Sequence, residues 1–476
     1  MKKTFLISTA IDYPSEKPHL GHCLEKVQAD VMARHKRLQG FDVHFSTGLD
    51  EHGLKIQRYA KKAGKRPQEF VDEMSQHFKN LWKAVKISNN DFIGTTEKRH
   101  GKIVREIIEK INKKGDIYKG EYKGLYCVDC ESYYLPKDLE GDKCPVHHKT
   151  VEIIKEESYF FRISRYQQQL LEHIQKSKNF IVPESKKNEI LNRLKQPLQD
   201  LSISRATVKW GIPFPLDEKF TTFVWVEALL NYLTTLDYPS KKFEKFWPGE
   251  IHIGKDIIWH HAVILSCLLF SAGLKLPKTI FAHGFITVDG QKMSKSLGNV
   301  IDPFELVKKY GVDPVRYFLL REIPSTEDGD FTYKKFEGRY NADLASGLGN
   351  LVARVTKLAK TFDIQKTKNR KNLEIKTTHG TPLLNTLEQA EKSCKNNIDK
   401  FKFNEALFII WELISFCDFY VNQEKPWVGG KEKAIADLLF FIEEIAKLLQ
   451  PFLPETSEKI LKQLKTRKSK PLFPRI

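Results

Sequence analysis

The chain has 476 residues, of which 41% are apolar and 29% charged, a composition that excludes a wholly disordered protein. At roughly 100–200 residues per domain, the length allows two to four domains. Lys and Arg number 78 against 60 Asp and Glu, so the net charge is +18, which invites a polyanionic partner without naming one. No stretch approaches the roughly 18 apolar residues that a membrane span needs, the best run being Ala262–Phe270. The early run Phe5-Leu6-Ile7 is too short for a signal-peptide core and reads better as a first buried strand. Seven cysteines, an odd number, argue against a secreted disulfide framework, so the cytosol is the expected compartment.

Phe5–Ile11 is apolar and β-branched and predicts a short strand, followed by a polar loop over Asp12–Pro18. Leu20, Leu24, Val27, Val31 and Leu38 then recur at helical spacing and Gly40 closes the helix. Phe41–Phe45 alternates as a second strand. This strand–helix–strand opening predicts an α/β fold with a doubly wound parallel, Rossmann-type sheet and right-handed crossovers. Near Asp116 the alternation stops: a stretch rich in Cys, Tyr, Gly and Lys runs to Thr150, and a charged, largely helical segment is expected from there to Arg205. Strand Glu250–Ile253, helix Asp256–Ala272 and strand Thr279–Ala282 resume the pattern. Beyond Lys334 only helical spacing remains, broken by a polar loop over Gln365–Pro382.

The expected domains are therefore 1–115 and 211–333 as two halves of a nucleotide-binding catalytic domain, 116–210 as a connective insertion, and 334–476 as an all-α helical bundle. Residues 331–476 hold 26 Lys and Arg against 17 Asp and Glu, half of the net charge in under a third of the chain. A polyanion would find its densest positive field there.

Three constellations carry chemistry. His19-Leu20-Gly21-His22 lies where the first loop enters the first helix, and a helix N-terminus favours phosphate through its backbone N–H groups and dipole. Two imidazoles on one face could hydrogen-bond phosphate oxygens as charge shifts, though the spacing alone also suits surface or capping histidines. Lys292-Met293-Ser294-Lys295-Ser296 is flanked by Gly290 and Gly298, which suits a mobile loop whose two lysines clamp a phosphate chain. Cys127-x-x-Cys130 followed by Cys144-x-x-His147 gives four ligand types in two close pairs, as tetrahedral structural zinc requires. His148 adjoins His147, so the fourth ligand is less fixed than the other three.

In this order the first two motifs resemble the paired signatures of class I aminoacyl-tRNA synthetases. With Tyr13, Asp50-Glu51-His52-Gly53, the zinc pairs, Trp210-Gly211-Ile212-Pro213, Gly254-Lys255-Asp256, Gly349-Asn350-Leu351 and Pro426-Trp427, the chain resembles the methionyl-tRNA synthetase family over essentially its whole length. The resemblance implies methionine activation by ATP with Mg2+, then transfer to initiator and elongator methionine tRNA. It implies His19, His22, Lys292 and Lys295 as catalytic residues, and Gly21, Gly254, Asp256 and Lys295 at ATP. Asp50 would pair with the methionine ammonium group, and Ile11, Tyr13, Trp225, Ala228, Tyr232, Ile257 and His261 would surround the rest of methionine. Asn350, Arg354 and Trp427 would read the anticodon, and Cys127, Cys130, Cys144 and His147 would hold Zn2+.

The chain departs from the family's usual pattern at His260, Leu229, Leu265-Ser266, Leu49 and Asp418, which bears on methionine specificity. Two alternatives stand beside the leading expectation: a sibling class I synthetase with an altered pocket, and a non-catalytic tRNA-binding paralogue. The segment between the signatures looks too short for a large editing insertion, and the expected state is a cytoplasmic monomer without membrane contact.

Overall fold

The computed structural model describes residues 2–128, 132–134, 139–146, 148–293, 298–361 and 383–476. The chain forms two compact units. Unit 1 comprises 1–18, 40–81 and 88–283, and unit 2 comprises 19–39, 82–87 and 284–476. The first helix thus counts with the C-terminal region, where the sequence boundaries had grouped it with the first strands.

Unit 1 contains strands β1 (Thr4–Thr9), β2 (Asp42–Leu49), β3 (Asp91–Gly94), β4 (Ile117–Cys127), β5 (Ser132–Tyr134), β6 (Glu152–Phe161), β7 (Ile181–Val182), β8 (Leu201–Ser202), β9 (Ser204–Arg205), β10 (Thr221–Thr222), β11 (Glu250–Gly254) and β12 (Thr279–His283). Six of them build a parallel sheet in the order β3-β2-β1-β11-β12-β7. Parallel strands covered on both faces read as continuous apolar runs, which is why Phe5-Leu6-Ile7 and Thr279-Ile280-Phe281-Ala282 were legible as strands. The order reverses between β1 and β11, the crevice at which doubly wound sheets place their ligands. There the backbone N–H of Ala10 donates to His252, so the segments that follow the two strands, Ile11–Tyr13 and Gly254–Asp256, leave the same end of the sheet.

The 116–210 region differs from its expected form. Residues Glu152–Phe161 are not helical: they form the ten-residue β6, antiparallel to β4 in a sheet ordered β5-β4-β6-β8. Helices do follow, at Gln167–Lys176 and Glu184–Arg193. Between them β7 pairs with β12 and completes the edge of the main sheet, so the region is only partly an insertion. The expected helix Asp256–Ala272 is present but irregular: a 3-10 turn at Lys255–Ile257 leads to a π segment at His260–Leu265 and an α turn at Ser266–Ser271.

Unit 2 holds helix α1 (Leu20–Leu38), a small sheet of β13 (Ile286–Val288), β14 (Gln291–Lys292) and β15 (Gly329–Phe331), and a series of helices. The longest of these are Phe403–Glu424, Glu432–Leu449 and Leu383–Asp399. Among the described residues no strand follows Phe331, and no helix is long and apolar enough to cross a membrane. At the heart of this unit Arg316 and Asp30 pair at 2.8 Å with both side chains fully buried. The remaining guanidinium donors reach the carbonyls of Val85, Pro451 and Phe452 at 2.8–3.1 Å, which satisfies a charge that burial would otherwise make costly.

Candidate active site

At the C-terminal end of β1 the chain runs on beside β2: Asp12 donates to the Gly48 carbonyl and Asp50 donates to the Asp12 carbonyl, both at 2.9 Å. This pairing sets the Asp50–Gly53 loop against Tyr13, whose hydroxyl donates to the His52 carbonyl at 2.7 Å. Asp50 is buried. Glu51 turns its carboxylate to Thr96, accepting from the hydroxyl at 2.6 Å and the backbone at 3.2 Å. Burial raises its carboxyl above the usual range, and the Thr96 bonds work against that rise. The Trp210 indole donates to the Glu51 carbonyl at 2.7 Å, and the Gly53 N–H donates to the Trp210 carbonyl at 3.0 Å. Gly53 adopts φ 101°, a conformation that an L side chain rarely takes.

Other elements of unit 1 bring a second set of aromatic side chains together. Trp225, on the short helix Val224–Leu229, stacks face to face with His260 at 3.8 Å and 18°. The Tyr232 hydroxyl lies 2.8 Å from His261 Nε2, and His261 Nδ1 lies 3.0 Å from the Ile257 carbonyl. A carbonyl only accepts, so the His261 proton sits on Nδ1 and Nε2 accepts a hydrogen bond from the Tyr232 hydroxyl. Adjacent histidines thus serve different partners, and both begin the π segment, a wide turn often found at functional sites. Burial pushes His260 down to about 3, so the ring that stacks on Trp225 is neutral near pH 7. Of the departures, Leu49, Leu229, Leu265 and Ser266 are buried. Ala228 is also buried, Ile11 and Ile257 are partly so, and Gly254 borders exposed Asp256, whose carboxylate a Cβ at Gly254 would meet at 2.7 Å.

In unit 2 His19 is the N-cap of α1, and the two signature histidines form a reciprocal capping box. His19 Nδ1 accepts the Gly21 N–H, and His22 Nδ1 accepts the His19 N–H, both at 3.1 Å. Their rings lie 4.1 Å apart. Capping is therefore what the structure shows for this motif, and it uses Nδ1, which leaves the ring proton on Nε2. Burial and the neighbouring charge of His19 hold His22 well below its usual range, so its ring is neutral near pH 7. A side chain at Gly21 would meet the His19 ring at 2.9 Å, which is the local reason for glycine. Lys292 lies on β14, opposite Thr287 of β13. Lys295 lies outside the described residues.

A second cluster in unit 2 brings together the expected anticodon readers. Arg354 donates to Asn422 at 2.9 Å, lies 3.7 Å from Asp418, and has its guanidinium 5.8 Å from the Trp427 ring. Asn350 is exposed one helical turn before Arg354. Asn422 was not singled out in the sequence. Its only local signal is its spacing from Asp418, four residues earlier on the same helix.

Of the expected zinc ligands, Cys127 and Cys144 are buried, while Cys130 and His147 lie outside the described residues. The Val146 N–H donates to Cys144 Sγ at 3.3 Å, and the same sulfur lies 3.4 Å from the Tyr134 hydroxyl.

Residues 5–151 and 134–356 match the family described as class I tRNA synthetases (M), and residues 382–473 match the anticodon-binding domain of tRNA ligases. The methionine–tRNA ligase of Caldanaerobacter subterraneus subsp. tengcongensis is 45% identical over 98% of this chain and 74% of that protein. That of Thermotoga maritima is 41% identical over 97% of this chain and 75% of that protein. Mycobacterium tuberculosis methionyl-tRNA synthetase in complex with methionyl-adenylate superposes with a TM-score of 0.89 at 36% identity, covering 96% of this chain and 93% of that one. With its parallel sheet, its signature histidines at a helix start and its helical anticodon domain, the chain belongs to the methionyl-tRNA synthetase family of class I aminoacyl-tRNA ligases.

Proposed function

We propose that the chain activates L-methionine with ATP, forming methionyl-adenylate and pyrophosphate, and then transfers the methionyl group to initiator and elongator methionine tRNA. The observation that carries this reading is the buried Asp50 in the loop that Tyr13 holds, together with the Trp225–His260 stack and the Tyr232–His261 pair. A buried carboxylate suits an ammonium group, and aromatic faces beside a hydrogen-bonded Tyr–His pair suit a polarizable thioether. The methionine carboxylate attacks the α-phosphate, so no enzyme nucleophile is needed and catalysis rests on positioning and charge stabilisation.

His19 and His22 would offer Nε2–H to the phosphates, with Lys292 and Lys295 on the pyrophosphate side. Gly21, Gly254 and Asp256 would contact ATP, which brings its own Mg2+. Ile11, Ala228 and Ile257 would complete the surroundings of methionine. Asn350, Arg354 and Trp427 would read the anticodon, an unpaired base stacking on the indole. Cys127, Cys130, Cys144 and His147 would hold a Zn2+ that fastens the loop-rich part of the β5-β4-β6-β8 region. Metal analysis should find about one zinc per chain in the wild type and a loss of it in Cys144→Ala.

The enzyme is read as a cytoplasmic monomer, which sedimentation at working concentration checks. The deciding experiment is ATP–pyrophosphate exchange with each amino acid in turn. Exchange that depends on methionine alone is the expected result. Preference for another apolar amino acid would point to the sibling reading, and tight tRNA binding without any exchange to the non-catalytic one.

A further inference from the structure

Glu227 lies on the helix Val224–Leu229 between Trp225 and Ala228, and its side chain has no solvent exposure. A carboxylate in such a place must find partners inside the protein. It has two, from different parts of the chain. His52 Nδ1–H donates to one oxygen at 2.7 Å, and the Ile212 N–H donates to the other at 3.3 Å. His52 is itself buried and packs edge-on against Trp210 at 5.2 Å. Its own carbonyl accepts the Tyr13 hydroxyl, and it lies two residues from Asp50.

Glu227 therefore gathers three segments: the Asp50–Gly53 loop, the Trp210–Pro213 segment and the helix that carries Trp225. The group read as the ammonium partner, Asp50, and the aromatic wall at Trp225 come from different segments, and the His52–Glu227 bond joins those segments side chain to side chain. Charge-assisted bonds between buried groups are short and directional, so this one fixes a distance as well as adding cohesion.

We propose that His52 and Glu227 are positioning residues for methionine: their bond sets the span between Asp50 and the Trp225 wall, and with it the fit of the amino acid. The proposal rests on the methionine-site reading given above and deepens it. Neither side chain is assigned to touch the ATP phosphates. Loosening the bond raises the KM for methionine and leaves the KM for ATP in place, a split that general loss of folded protein does not produce.

The test is ATP–pyrophosphate exchange by the full chain, with both KM values measured for His52→Ala, His52→Asn, Glu227→Gln and Asp50→Asn. His52→Ala is expected to raise the methionine KM by about tenfold or more, with the ATP KM within about twofold. In His52→Asn an amide nitrogen takes the place of Nδ1, and the methionine KM returns to within about threefold of wild type. An unchanged methionine KM in His52→Ala, or an equal rise in both constants, overturns the proposal. Should His52→Ala fail to fold, Glu227→Gln decides: a raised methionine KM at an unchanged ATP KM supports the bond's role, and two unchanged constants overturn it. Asp50→Asn separates the levels. If it raises the methionine KM while the His52 and Glu227 variants do not, only the positioning role falls; if it too has no effect, the methionine-site reading falls first.

Discussion

Two tryptophans, one in each unit, sit beside a basic side chain and yet are built for different guests. Trp225 is partly buried and stacked at 3.8 Å on a histidine that burial keeps neutral. Trp427 is 53% exposed, and its neighbour is the always-charged Arg354 at 5.8 Å. Under the proposed reading, the first arrangement would use an indole face to wall a small, apolar side chain. The second leaves a face open beside a cation, which suits a base pulled out of its stack with a phosphate close by. If both readings hold, burial and the charge state of the neighbour, more than residue type, separate a pocket wall from a reading platform.

The contrast can be broken or sharpened by measurement. The largest effect is expected where neither tryptophan acts: Lys295→Ala should lower pyrophosphate exchange by about 10²–10³-fold, and charging with it, because a charge on the leaving phosphates is lost. Full exchange in that variant would remove Lys295 from the chemistry. Arg316→Met should cost unit 2 about 3 kcal/mol, since a fully buried pair is broken and three carbonyls lose their donor, while Arg34 still holds Asp30 at 2.7 Å. Denaturant unfolding followed within unit 2 measures it, and a change below 1 kcal/mol would mean that Arg34 alone balances the Asp30 charge. Trp427→Ala should lower kcat/KM for tRNA by about 5–150-fold, the worth of one stacked base, with pyrophosphate exchange unchanged. A fall in exchange would merge the two functions that the exposures separate.

His260 offers a smaller, pH-dependent test. Its folded pKa of about 3 lies below the usual 6.5, so its contribution to stability is fully present above pH 6.5 and declines as pH falls from there toward 3. His260→Phe should therefore gain on the wild type in acid, by about 1–2 kcal/mol at pH 5 relative to pH 7.5. Parallel melting curves at the two pH values would contradict a buried neutral imidazole. Smallest is Asp399→Asn, which removes the contacts to Lys36 at 2.6 Å and His35 at 3.5 Å. Those partners hold Asp399 at about 2, below the ordinary 3.8, so the stability it gives is present above pH 3.8 and lost as pH falls toward 2. The site is partly open to solvent, and the loss at neutral pH should stay below about 1 kcal/mol.

What could be seen in the sequence follows from how local each signal is. The strands of the main sheet announce themselves as apolar runs, and α1 as a spaced apolar stripe. The β6 segment Glu-Ile-Ile-Lys-Glu-Glu-Ser-Tyr-Phe-Phe gave no such sign, because its partner β4 lies some thirty residues away and charged residues fill its middle. The two-residue β7 is defined by its neighbour β12 alone. At the site, the signature histidines, Asp50, Tyr232 and His261 were legible through the family resemblance. Glu227 and Asn422 were not: each is a single polar residue on a helix, and its meaning comes from a partner 175 or 68 positions away.

The capping box at His19 and His22 has a consequence for how this motif can vary. Each imidazole supports the helix with its Nδ1 edge, and under the proposed reading its Nε2 edge would serve the phosphates, so fold and catalysis would draw on opposite sides of the same ring. Asparagine can replace the inner edge, being among the best N-cap residues, but has nothing at the distance of Nε2. A His19→Asn protein would be a well-folded enzyme with a silenced phosphate site. Such separability would let a lineage lose the reaction while keeping the fold, and under the proposed reading Nε2, rather than the presence of a helix cap, would be the mark of an active member.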